Sequence, residues 1–238
     1  IDFILTQLKD KNGKLLHRYR ENESAIAGML DDYSFLIAAL LDLYESGFNH
    51  EYLAEAIKLT EHSLNHFWDF KDHGFFFTSD DAEKLLLRQK EFYDGAIPSG
   101  NSVFILNLLR LSRFTTNSDY ELKAKQLMES FSQLLDSSPA SFTYALTGLD
   151  FAFGPSSEIV ISGETTDEKY LEMLHTIHSS YIPNKIITKL ETKAEHYMPF
   201  LKNFNSDKTD ALVYVCKNYV CELPVDSVQK LENLLKQS

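Results

Sequence analysis

Two kinds of apolar segment alternate along this chain. Met29–Tyr44 and Val103–Phe114 are apolar on nearly every side, so each predicts a helix packed over most of its surface. Each is followed by a one-faced segment. Across 50–68, Leu53, Ala56, Ile57, Thr60, Leu64, Phe67 and Trp68 recur at helical spacing, with Glu51, Glu55, Lys58 and Glu61 on the other side. Across 119–135 the stripe is Tyr120, Ala124, Leu127, Phe131 and Leu134. Thr143–Phe153 predicts a third buried helix, with Pro139 in a capping position before it. Residues 1–8 fit the tail of a surface helix. Buried and one-faced helices in alternation predict two concentric layers, because a simple bundle makes all its helices one-faced. No regular short repeat supports an α-solenoid.

The character changes after Phe153. Gly154-Pro155 breaks the helix. Strands are predicted at 158–162, 185–190, 211–216 and 219–223, the last two as a hairpin turning at Lys217-Asn218. Helices are predicted at 167–180 and 225–236. The expected organisation is a helical unit over 1–153 and a small α/β unit over 154–238. Two long polar, aromatic-rich linkers, 11–28 and 71–98, lie just before buried helices; long loops on one rim are usually functional.

Composition narrows the function classes. The chain has 238 residues and a formal net charge of -12, which argues against nucleic acid as a partner, since phosphate binding needs a basic surface. No apolar run reaches membrane-spanning length. The α/β part carries no G-x-G-x-x-G or Walker motif, and no cofactor is expected. Cys216 and Cys221 are spaced C-x4-C, unlike a C-x-x-C redox motif. They are expected to be reduced structural thiols in a cytoplasmic protein, not a catalytic redox pair.

Chemically capable groups are densest in 88–102, RQKEFYDGAIPSGNS. Asp94-Gly95 marks a turn, and Pro98-Ser99 a helix start at which Ser99 can cap free N–H groups. Such a helix end favours anionic or hydroxyl-rich ligands; a capped turn with solvated charges is the plainer reading.

Several of these stretches resemble one family. Asp31-Asp-Tyr-Ser-Phe-Leu36, Gly74-Phe-Phe-Phe-Thr78, Asp94-Gly-Ala-Ile-Pro-Ser-Gly-Asn-Ser102, Asn107-Leu-Leu-Arg-Leu111 and the 214–224 segment are similar to YyaL-type proteins, relatives of spermatogenesis-associated protein 20. The likeness runs from about Leu16 to Pro224. It implies the later hairpins of an (α/α)6 six-hairpin toroid, of the kind found in sugar epimerases and glycosidases. It also implies a longer protein with a thioredoxin-like domain and earlier hairpins that have no counterpart here. The chain is therefore expected to self-associate or to pair with the missing N-terminal half. Phe104 and Ile105 stand where relatives are expected to carry small residues, which narrows any cavity beside that helix.

In six-hairpin folds the ligand cleft lies on the rim of the long loops. That mapping makes His17, Asp32, Glu91 and Asp94 the candidate catalytic groups, since sugar chemistry needs paired proton donors and acceptors or two carboxylates. Arg18, Tyr33, Arg88, Lys90, Tyr93, Ser99 and Asn101 are the candidate substrate-binding groups. Asp31 or Asp32 also fits a helix cap, and His17 a hydrogen bond within its loop. His62 and His66 are four apart, a metal-ligand spacing. However, no Glu follows His62 and the stripe faces outward, so no metal site is expected. Two function classes result: a sugar isomerase or epimerase acting on a carbohydrate or similar small molecule, and a non-catalytic binding or scaffold module serving a thioredoxin-like domain.

Overall fold

The computed structural model of the chain describes residues 1–204, 210–217 and 220–236. It is mainly α, about 52% helical. The helical part contains α1 (Asp2–Gln7), α2 (Leu30–Gly47), α3 (His50–His66), α4 (Gly100–Thr115), α5 (Ser118–Ser130), α6 (Ser132–Ser137) and α7 (Thr143–Phe153). Sequence-local capping sets several of these boundaries. Asn49 Oδ1 accepts the Glu51 N–H, Ser99 Oγ the Ser102 N–H, and Asn117 Oδ1 the Asp119 N–H. At the other ends, Phe48 and Thr116 stop α2 and α4 in left-handed conformation, with φ 54° and 56°.

The helices pack as paired rows. α2 and α3 form one hairpin, α4 and α5 the next, and α2, α4 and α7 lie side by side in that order. α4 is the most enclosed: Asn101 through Ile105, Leu108, Leu111 and Phe114 are all buried. α3 and α5 bury single stripes, Leu53, Ala56, Leu59 and Tyr120, Ala124, Leu127. α7 differs from expectation. It buries Ala145, Gly148 and Phe151 against α4 but leaves Leu146 and Phe153 exposed. Gly148 permits that packing, because a Cβ there would lie 2.4 Å from Ile105 Cγ2. Pro139 begins a 3-10 turn, 139–141, ahead of α7 rather than capping the helix itself.

The linker 11–28 is not an irregular loop. It forms an antiparallel hairpin of β1 (Leu16–Arg20) and β2 (Glu23–Ala27), turning at Glu21-Asn22 with φ of 54° and 62°. The C-terminal unit holds β3 (Ser157–Ser162), α8 (Glu168–Ser179), β4 (Lys185–Lys189), β5 (Leu212–Lys217), β6 (Val220–Cys221) and α9 (Val228–Leu235). Its sheet runs β4-β3-β5-β6, with β3 and β4 parallel and the other pairs antiparallel. Position 218 of the expected turn and position 219 of the expected strand lie outside the described residues. One continuous hydrophobic core joins the helices to the sheet, and the Tyr44 hydroxyl meets Thr188 Oγ1 at 2.6 Å across that junction.

The cysteines correct the sequence reading. Cys216 and Cys221 are paired across β5 and β6 and form a disulfide instead of two reduced thiols. The spacing concealed this because a tight hairpin places positions five apart directly opposite each other.

Candidate functional site

The starts of α2 and α4 meet. Asp31 Oδ1 accepts the Gly100 N–H at 2.9 Å, so one helix's acidic first turn faces the other's free N–H groups. Gly100 is required by this approach: a Cβ there would lie 2.5 Å from Asp31 Oδ1 and 2.9 Å from Leu30 Cγ. Beside the contact lies a cavity of about 440 Å3. Ile1, Ile4, Leu8, Leu15, Leu16, Phe35, Leu36, Ala39 and Ile97 give it apolar walls, and His17, Asp31 and Asp32 a polar end.

The polar end is organised around one carboxylate. Asp32 Oδ2 accepts the Met29 N–H at 2.7 Å, closing the N-terminus of α2. The same oxygen lies 2.9 Å from His17 Nδ1. With Nδ1–H donating to Asp32, His17 Nε2 is left as an acceptor, and the imidazole is half exposed at the cavity. The Asp31 carboxyl is raised above its usual range, chiefly by burial, with the Glu91 and Asp32 charges adding to it and the Gly100 N–H opposing. His17, Asp31, Asp32 and, through its charge, the exposed Glu91 therefore form one neighbourhood.

The other candidate residues are engaged elsewhere. Asp94 is buried and binds three backbone N–H groups: Ser99 at 2.9 Å through Oδ1, and Tyr144 and Ala145 at 2.8 and 3.2 Å through Oδ2. It caps α7 from a distant loop, where the helix dipole favours its charge. The fully buried Asn101 acts as a substitute strand. Its Oδ1 accepts the Phe75 N–H, and its Nδ2 donates to the carbonyls of Phe75 and Glu91. Ser99 is the α4 cap and donates to the Phe92 carbonyl. Arg88 donates to the carbonyls of Thr78 and His66 and lies over the Phe76 ring. Lys90 pairs with Asp69 and donates to the His73 carbonyl.

Tyr33 is buried. Its hydroxyl accepts the Leu15 N–H and its ring stacks on His62, a setting in which burial pushes its pKa up to about 12. Arg18 is exposed on β1, outside the cavity lining, and Tyr93 is exposed beside Gly95. Phe104 stacks on Phe75 with ring centroids 4.3 Å apart, filling the space beside α4.

Sequence reasoning did not rank Asp31, Leu16, Phe35 or Ile97 as site residues. The available signal for Asp31 was its place beside Asp32 in a first helical turn. It also did not join His66 to Asp80 and Asp81, whose ligating atoms all lie within 4.8 Å of one another.

These features define a mainly helical protein with a small mixed sheet and an acid–imidazole cavity where two helix starts meet. No known family profile matches the chain. It is homologous to spermatogenesis-associated protein 20, with 32% identity to the Homo sapiens protein over 213 residues and 33% to that of Rattus norvegicus over 215. An uncharacterised protein of Caenorhabditis elegans is 29% identical over 219 residues. The match covers 87% of this chain but 27% of the human protein, so the chain corresponds to roughly a quarter of that relative's length. Among the described residues, no helix is long and apolar enough to cross a membrane.

Proposed function

We propose that the chain forms the later hairpins of a YyaL-type α/α toroid, and that the cavity at the start of α2 binds a sugar or similar small carbonyl compound for isomerisation or epimerisation. The observation that carries this reading is the His17–Asp32 pair, 2.9 Å apart at one end of a half-open, mostly apolar cavity. Asp32 orients the imidazole through Nδ1, and Nε2 removes a proton beside the substrate carbonyl. The electron pair moves onto the carbonyl oxygen, which takes a proton from Asp31, the carboxyl that burial keeps more readily protonated. His17 then returns its proton to the neighbouring carbon while the adjacent enediol hydroxyl gives its proton to the Asp31 carboxylate and becomes the new carbonyl, which completes the isomerisation. The apolar walls take the C–H face of the substrate.

A cytoplasmic setting and pairing with the segments that the longer relatives carry beyond this region belong to the same reading. The test is solvent-deuterium exchange at the carbon next to the carbonyl, monitored by NMR across a set of aldoses and ketoses. Exchange lost in both His17→Ala and Asp32→Asn supports the reading; no exchange with any sugar, or exchange indifferent to both variants, defeats it.

A second reading, a non-catalytic module serving a thioredoxin-like domain, is favoured by one observation. Phe104 and Phe75 fill the space beside α4, where a ligand would otherwise reach the polar start of that helix. Shift perturbations by sugars confined to no common surface would favour it.

A further inference from the structure

A second cluster of chemically capable side chains lies at the opposite end of α3 from Asn49, among residues that do not line the cavity. α3 places His62 and His66 on one face, and their ring centroids are 4.5 Å apart. The chain then leaves the helix and comes back. The Asp80 N–H donates to the His66 carbonyl at 3.0 Å. Arg88 clamps the same return, donating to the carbonyls of His66 and Thr78 at 2.9 Å each. The loop is thus fixed at two places, and its Asp80-Asp81 pair is held over His66. Asp80 Oδ1 lies 2.8 Å and Asp81 Oδ2 3.4 Å from His66 Nδ1.

We propose that His66, Asp80 and Asp81 form a binding site for a first-row divalent transition-metal cation such as Zn2+. The donor set is one imidazole and two carboxylates, whose ligating atoms lie within 4.8 Å of one another. A cation centred among atoms so spaced needs only small side-chain adjustments to reach the roughly 2.0–2.2 Å metal–ligand distances of such sites. The three side chains remain partly exposed, so water can complete the coordination and an ion can enter.

Lys14 and Arg88 bring positive charge to the rim of the cluster. His62 stacks on Tyr33, with ring centroids 5.1 Å apart, which holds it beside His66. The Ser79 hydroxyl donates to Asp81 Oδ1, and Oδ2 faces His66 and Lys14. The Lys14 ammonium already pairs with Asp81, and Asp10 accepts the Lys14 N–H from the same turn. Lys14 is therefore the competitor that an incoming ion must displace. Imidazole and carboxylate together favour zinc over magnesium, which prefers an all-oxygen shell with retained water.

The experiment is calorimetric titration of the 238-residue chain with ZnCl2, and in parallel with MgCl2, near neutral pH. One Zn2+ per chain is expected, bound at least about tenfold more tightly than Mg2+. Asp80→Asn alters an exposed side chain and leaves the loop's backbone contacts in place. It should weaken Zn2+ binding about tenfold or more, and His66→Gln should do the same. Lys14→Met, which removes the competing ammonium, should tighten it. Absence of stoichiometric Zn2+ binding, affinity no greater than for Mg2+, or affinity unchanged in both Asp80→Asn and His66→Gln would overturn the site.

Discussion

The starts of α2 and α4 touch, carry similar polar residues and do different work. At α4, Asp94, Ser99 and Asn101 are buried and each holds backbone from another segment. At α2, Asp31 and Asp32 each bind one neighbouring N–H, and Asp32 also meets His17 beside a cavity. Density of polar residues is therefore a poor guide to a site. What distinguishes the two ends is whether the hydrogen-bonding capacity is filled from within the protein or faces an accessible space.

The comparison can be broken by substitution, and the largest effect belongs to Asn101. Asn101→Ala strands three backbone groups, the two of Phe75 buried and the Glu91 carbonyl partly so, so chemical denaturation should show a loss of about 3 kcal/mol or more. Gly100→Ala is next. Its Cβ meets Asp31 and Leu30 well inside contact distance, and a loss of about 2 kcal/mol is expected as the two helix starts separate. Asp94→Asn keeps the shape but gives up the charge at the α7 N-terminus; about 1–2 kcal/mol should go, with hydrogen exchange rising first in α7.

Acid should act more gradually. Burial first, then neighbouring positive charge, depress the pKa of His62 and His178. The unfolded chain therefore binds protons more readily than the folded one. Stability from these groups is complete above the unfolded value of about 6.5 and falls as pH drops through the depressed folded values. Melting at pH 7.5 should exceed melting at pH 5.5, and His62→Gln should reduce the difference.

Much of the helical framework was legible. The stripes of α3 and α5 and the all-round burial of α4 follow from residue spacing alone, and Asn49, Ser99 and Asn117 stand where caps belong. The β1–β2 hairpin was not legible, because Leu16–Arg20 lacks both a clean apolar–polar alternation and β-branched residues, and its turn uses Glu21-Asn22 rather than glycine. The role of Asp94 was hidden for another reason: its partners Tyr144 and Ala145 lie 50 and 51 residues away, and nothing local marks a cap supplied at that distance. Asp80 and Asp81 escaped notice similarly, since the return of the chain to His66 depends on Arg88 and not on a motif. α7 looked buried because it is apolar, yet its Leu146 and Phe153 face outward.

The most direct test of the contrast between the two helix starts is the stability of His17→Ala set against Asn101→Ala under identical urea denaturation. His17 is half exposed and its one bonded partner, Asp32, keeps the Met29 N–H. Its removal should therefore change stability by no more than about 0.5 kcal/mol, while Asn101→Ala loses several times that. Equal losses in the two variants, or an Asn101→Ala protein as stable as the parent, would contradict the account.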